Sequence, residues 1–159
     1  MKEILEILEK DARTTPEAIA TMTGKTVDEV EDLIREAEKE RIILKYKTVV
    51  NWEKASQPLV WALVEVKVQP QRGVGFDAIA ERIYRFPQAR TVYLVSGTYD
   101  LAVVVLGKTM QEVAAFVSEK LATLENIQGT MTHFMLKKYK EDGDILEEKG
   151  PTQRIPISA

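Results

Sequence analysis

The stretch ARTVYLVSGTYDLAVVVLGK, Ala89–Lys108, decides how the larger part of this chain folds. It reads as two strands joined through Gly97, because β-branched and aromatic residues flank a Ser-Gly-Thr turn. Leu101 to Leu106 is apolar at every position, so both faces of that strand call for cover. Upstream, WALVEVKVQ alternates, with Ala62, Val64, Val66 and Val68 on one side. Gly73 and Gly75 then form a loop into FDAIAERIYRF, an amphipathic helix stopped by Pro87. Downstream, TMQEVAAFVSEKLATLEN predicts a second helix with Val113, Phe116, Val117 and Leu121 inward, and IQGTMTHFMLKKYK a final strand. The order β-α-β-β-α-β is that of a split βαβ, ferredoxin-like domain. Both of its helices would cover one face of the sheet. Trp61 and Leu63 then add apolar area on the other, which predicts a homodimer formed through the sheets.

The first fifty residues have another character. MKEILEILEKDA sets Ile4, Leu5, Ile7, Leu8 and Ala12 at helical spacing. A second helix is expected from Thr15 as N-cap and Pro16 in the first turn, with Ile19 and Met22 as its apolar face and Ala20 allowing close approach. Gly24 is placed to end it. Thr26 and Glu29 make a capping box for a third helix, whose stripe is Val27, Val30, Leu33, Ile34 and Ala37. Three short helices with a tight turn before the third match the helix-turn-helix plan. RIILKYKTVVNW is expected to be a strand. The chain is thus α+β: a three-helix helix-turn-helix domain over 1–50, a linker over 51–60, a ferredoxin-like domain over 61–140, and a polar tail over 141–159 with an extended candidate at Arg154–Ile157.

Composition narrows the function classes. Cysteine is absent from the 159 residues, which excludes disulfides, thiol redox chemistry and thiolate metal sites. No apolar run is long enough to span a bilayer and no signal peptide opens the chain, so a cytoplasmic protein without membrane partners is expected. His133 is the single histidine and a poor metal site by itself; no Ser-His-Asp arrangement or phosphate loop is arguable. Neither a metal, a cofactor nor a catalytic residue is expected.

Helix-turn-helix, connecting strand and βαββαβ in one short chain resemble the Lrp/AsnC family, the leucine-responsive and asparagine-responsive "feast/famine" regulators. The matching segments are ILEKDARTTPEAIATMTGKT, RIILKYKTVVNW and the long run from Tyr93 to Lys140. Within that run the Gly-x-Tyr-Asp element Gly97–Asp100 and the Thr-x-Thr element Thr130–Thr132 are the most telling. The resemblance implies a transcriptional regulator that binds double-stranded DNA. Its C-terminal domain would take up an amino acid or similar metabolite and assemble dimers into larger rings, often octamers. It further implies an effector site at Gly97, Thr98, Tyr99, Asp100, Thr130 and Thr132. There Gly97 would admit a ligand to the backbone where a Cβ would intrude, Asp100 would accept from an ammonium, and the threonines would supply hydroxyls. The plainer account of SGTYD is a tight turn with residues favoured for backbone reasons.

The third helix strains this picture. Residues 26–40 hold seven acids against two bases, and residues 1–50 hold twelve acids against nine bases, a balance of −3. The helix dipole accounts for Asp28 and Glu29, and Glu31 stands at the favourable spacing before Arg35. DNA affinity comes mainly from phosphate neutralisation, so the candidate contacts are Arg13, Lys25, Arg35, Lys45 and Lys47, with Thr26 and Asp28 at the helix start. Acids can accept from cytosine N4 in the major groove, but that is a minority pairing. Binding is therefore expected to depend on several headpieces acting together. Two alternatives stay open: a metabolite-sensing oligomer that has lost DNA binding, and a tetrapyrrole decarboxylase-like enzyme using His133.

Overall fold

The computed structural model describes residues 1–55, 59–70 and 75–147. The chain divides into two compact units, Met1–Val49 and the part from Val50 onward.

In the first unit α1 spans Lys2–Lys10, α2 Pro16–Thr23 and α3 Val27–Lys39. Each boundary has a local cause. The Thr15 hydroxyl accepts from the Ala18 N–H at 3.3 Å, and Pro16 occupies the first turn of α2. Gly24 ends α2 in the left-handed region at φ 68°, which a Cβ would disfavour. The capping box forms in full: the Thr26 N–H donates to Glu29 Oε2 at 2.8 Å and the Glu29 N–H donates back to the Thr26 hydroxyl at 3.3 Å. Ile4, Ile19, Ala20 and Val30 close a small core, with Ile7, Leu8, Val27, Leu33 and Ile34 packed on it.

Two expectations fail in this unit. Met22 does not face inward; it is 66% exposed, and Ile19 and Ala20 alone bury α2. The segment Arg41–Trp52 is not a strand. Arg41 takes a positive φ of 59°, and the Ile42 and Ile43 N–H groups both fold back onto the Ala37 carbonyl, at 2.8 and 3.0 Å. Tyr46 is tied to α3 by its hydroxyl, which donates to Glu38 at 2.9 Å. The following residues have no regular secondary structure and no sheet partner among the described residues. A strand exists only where another backbone takes its hydrogen bonds, and none of the described residues supplies one. Ile42, Leu44, Tyr46, Val50 and Trp52 are consequently exposed.

The second unit runs β1 (Val60–Val68), α4 (Asp77–Tyr84), β2 (Ala89–Leu94), β3 (Leu101–Gly107), α5 (Met110–Phe116), β4 (Ile127–Phe134), then a short hairpin, β5 (Lys140–Glu141) and β6 (Asp144–Ile145). The sheet order is β2-β3-β1-β4 and every pairing is antiparallel, the ferredoxin-like arrangement. Ala62, Val64, Val66, Leu101, Val103 and Val105 meet Ile79, Ile83, Val113, Phe116 and Leu121 in one core. Gly107 lets α5 start close to the sheet, since a Cβ there would stand 2.8 Å from Val113 Cγ2. Beyond Phe116 the second helix widens into a π-helical turn, Val117–Leu121, that keeps Val117 and Leu121 buried. β4 stops at Phe134 rather than continuing to Lys140. The hairpin at 140–145 falls where only polar turns are expected; Asp142 and Gly143, at φ 46° and 96°, are the Asp-Gly signal for such a turn. The expectation for Arg154–Ile157 lies outside the described residues.

Candidate functional site

The other face of the sheet has no helix over it among the described residues of this unit. Register places Trp61 beside Leu106 and Leu63 beside Val104, and side chains two apart share a face, so Trp61, Leu63, Glu65, Val104, Leu106, Met131 and His133 lie together there. Lys138 stacks its ammonium 3.5 Å from the Trp61 ring centroid. His133 Nε2 lies 3.2 Å from Glu65 Oε1. Among the described residues no group of three or more His, Cys, Asp or Glu could hold a metal ion.

At one end of the sheet the β2–β3 turn is closed by the Val95 N–H donating to the Asp100 carbonyl at 2.9 Å. The Asp100 carboxylate crosses to β1. It accepts from the Val68 N–H at 2.8 Å and from Lys67 Nζ at 3.2 Å. The Val68 N–H, and then Lys67, hold the Asp100 carboxyl below its ordinary pKa against the opposing effect of burial. Gly97 and Thr98 are exposed; Tyr99 and Asp100 are half-buried. Gly97 has φ 147° and an added Cβ would meet nothing within 4 Å. Within one chain its need for glycine is therefore conformational, and the expected crowding by a Cβ is absent there. Thr130 and Thr132 pair with Val66 and Val64 and sit half-buried on the helix-covered side. Val66 pairs with both Leu101 and Thr130, so the Gly-x-Tyr-Asp turn and Thr130 share an end of the sheet, two strand spacings or about 10 Å apart. Thr132 is one pleat further along. The Val68 and Lys67 contacts escape sequence reasoning, since they join positions more than thirty residues from Asp100 with no local pattern.

In the first unit the candidate residues have unequal freedom. Arg13 lies exposed in the α1–α2 turn, its N–H on the Asp11 carboxylate at 2.9 Å. Lys25 is half-buried in the α2–α3 turn. The Thr26 hydroxyl is used by the capping box, whose donors from Thr26 also lower the Glu29 pKa. Arg35 pairs with Asp32 at 2.6 Å, not with Glu31 as its spacing suggests. Lys45 and Lys47 lie on the segment after α3. At about 100° per residue, Asp28, Asp32, Arg35 and Lys39 form a ridge opposite the buried stripe, two acids followed by two bases. The remaining acids flank this ridge.

The model of the Lrp/AsnC ligand binding domain matches residues 61–145. YugG of Bacillus subtilis, described as an uncharacterized HTH-type transcriptional regulator, is 50% identical over 98% of this chain and 95% of its own. Among solved structures, the Mycobacterium tuberculosis leucine response regulatory protein has a TM-score of 0.74 at 20% identity, covering 92% of this chain and 97% of that one. A feast or famine regulatory protein from M. tuberculosis complexed with L-methionine has a TM-score of 0.71 at 20% identity, covering 92% and 96%. At such identities the solved structures speak for the fold. No helix among the described residues is long and apolar enough to cross a membrane.

Proposed function

That the chain belongs to the Lrp/AsnC family is the premise from which we propose that it regulates transcription by binding DNA in response to a small effector. The observation that carries this reading is the pairing, in one chain, of a three-helix headpiece whose α2 and α3 are capped by Thr15 and Thr26 with the matched ligand-binding domain. The effector is of the amino-acid class. L-methionine in the M. tuberculosis relative's complex supports that class, as does an Asp100 carboxyl held below its ordinary pKa at the same end of the sheet as Thr130. Gly97, Thr98, Tyr99 and Thr132 complete the proposed site. The uncovered sheet face, with Trp61, Leu63, Val104 and Met131, is where a second copy packs, and dimers join into a larger ring.

Such assembly matters for the DNA step. A headpiece with nine bases against twelve acids in its first fifty residues gains little by phosphate neutralisation alone, and two headpieces on linked half-sites gain the missing affinity by avidity. Arg13, Lys25, Lys45 and Lys47 are the proposed phosphate anchors, while Thr26, Asp28 and Arg35 lie nearest the groove. The protein is no enzyme in this reading. The test is a mobility shift on the DNA upstream of its own gene, with and without a panel of amino acids. Retardation that one amino acid alters supports the proposal. The acids of α3 favour one second reading, a metabolite-sensing oligomer without DNA activity, and absence of any retardation at low salt would select it. A monomeric mass by light scattering would remove the sheet-to-sheet dimer.

A further inference from the structure

From the ridge of α3 we infer that Asp32 and Arg35 act as one unit that reads a G·C base pair in the major groove; this rests on the DNA-binding reading above. The pair is formed in the free protein, Arg35 Nη1 to Asp32 Oδ1 at 2.6 Å, with both side chains at least 70% exposed. It stands on the side of α3 opposite the buried stripe, the side a helix-turn-helix turns toward DNA. At the start of the helix, Thr26 and Glu29 are already engaged with each other in the capping box.

Charge decides between the backbone and the bases. An ion pair with no net charge gains little from a phosphate, and its carboxylate is repelled there. A base edge carries no net charge, and the G·C edge offers guanine N7 and O6 as acceptors beside the cytosine N4 amino donor. The pair offers the complement: guanidinium donors not used by Asp32, next to a carboxylate oxygen not used by Arg35. An A·T edge alternates acceptor, donor, acceptor and does not match. Asp32 also fixes the fork of Arg35 before binding, so less side-chain freedom is lost on contact. The acid that looks hostile to DNA thereby becomes part of the reading head.

The test selects duplexes from a randomised library with the full-length protein, then titrates the selected site and its single-pair variants by anisotropy. The expected selection holds a G·C pair at one fixed place in each half-site. Arg35→Lys keeps the charge but loses the planar fork, so it lowers preference for that pair by roughly 10- to 100-fold while leaving the salt dependence unchanged. Asp32→Ala lowers the preference less, yet raises affinity for every duplex because an acid has gone. A mere surface ion pair predicts no change in preference. Retention of the G·C preference by both variants, or selected sites without a fixed G·C pair, overturns the inference and leaves DNA binding intact. If the wild-type protein retains no duplex at low salt, the DNA-binding reading fails and the inference falls with it.

Discussion

Among the described residues the headpiece buries five apolar side chains, Ile4, Ile19, Ala20, Val30 and Ala37, whereas the C-terminal unit buries fourteen. Its sheet is specified by burial. The runs WALVEVKV and LAVVVLG have a place only where an apolar face is covered, and their register follows from that need. With so little to bury, the headpiece depends on its ends: a threonine cap on α2, a left-handed glycine after it, and the capping box on α3. Identical energies lost in the two units should therefore come from different chemistry, and be seen by different probes. Both tryptophans, Trp52 and Trp61, belong to the C-terminal unit, so their fluorescence follows that unit while helical ellipticity follows both.

Leu101→Ala carries the largest expected effect. It empties a fully buried position in β3 and should cost about 2–5 kcal/mol, read as an earlier fluorescence transition in urea with headpiece ellipticity retained. A single transition shared by both probes would break the comparison, because the units would then unfold as one. Asp100→Ala comes next. It orphans the Val68 N–H and removes a charged acceptor, at about 1.5–3 kcal/mol near neutral pH. The sign follows from the lowered pKa of Asp100. Its stabilisation is present above the ordinary aspartate pKa and lost as pH falls through the lowered one, so wild type and variant should converge in acid. Thr26→Ala should cost about 1 kcal/mol, visible in ellipticity and silent in tryptophan fluorescence. Smallest is Asp32→Ala, which removes an exposed pair worth about 0.2–0.5 kcal/mol. Any loss of base preference in that variant is then a matter of recognition rather than folding.

Legibility in the sequence divides along the same line. Alternation at Ala62, Val64, Val66 and Val68 and the capping box at Thr26 and Glu29 are local patterns, and the structure holds both as expected. What escaped depends on partners distant in the chain or absent from it. Met22 has the right chemistry and spacing for a core position, but Ile19 and Ala20 suffice and it points outward. Arg41–Trp52 has strand-forming residues without a neighbouring strand. Glu31 is well spaced for Arg35, and Asp32 takes it. Asp100 stands out in the sequence as the acid of the Gly-x-Tyr-Asp element, yet its donors on β1 depend on how the sheet brings Val68 alongside. The Asp142-Gly143 signal was readable and was masked by the polar composition around it.

The segment after α3 has one face that invites company and one that limits it. Ile42, Leu44, Tyr46 and Val50 fall at alternate positions with Lys45 and Lys47 between them. Stacked in register as in a fibril, every layer would set ammonium groups about 4.8 Å from their like in the next. Growth of such a stack would thereby be penalised by repulsion between like charges.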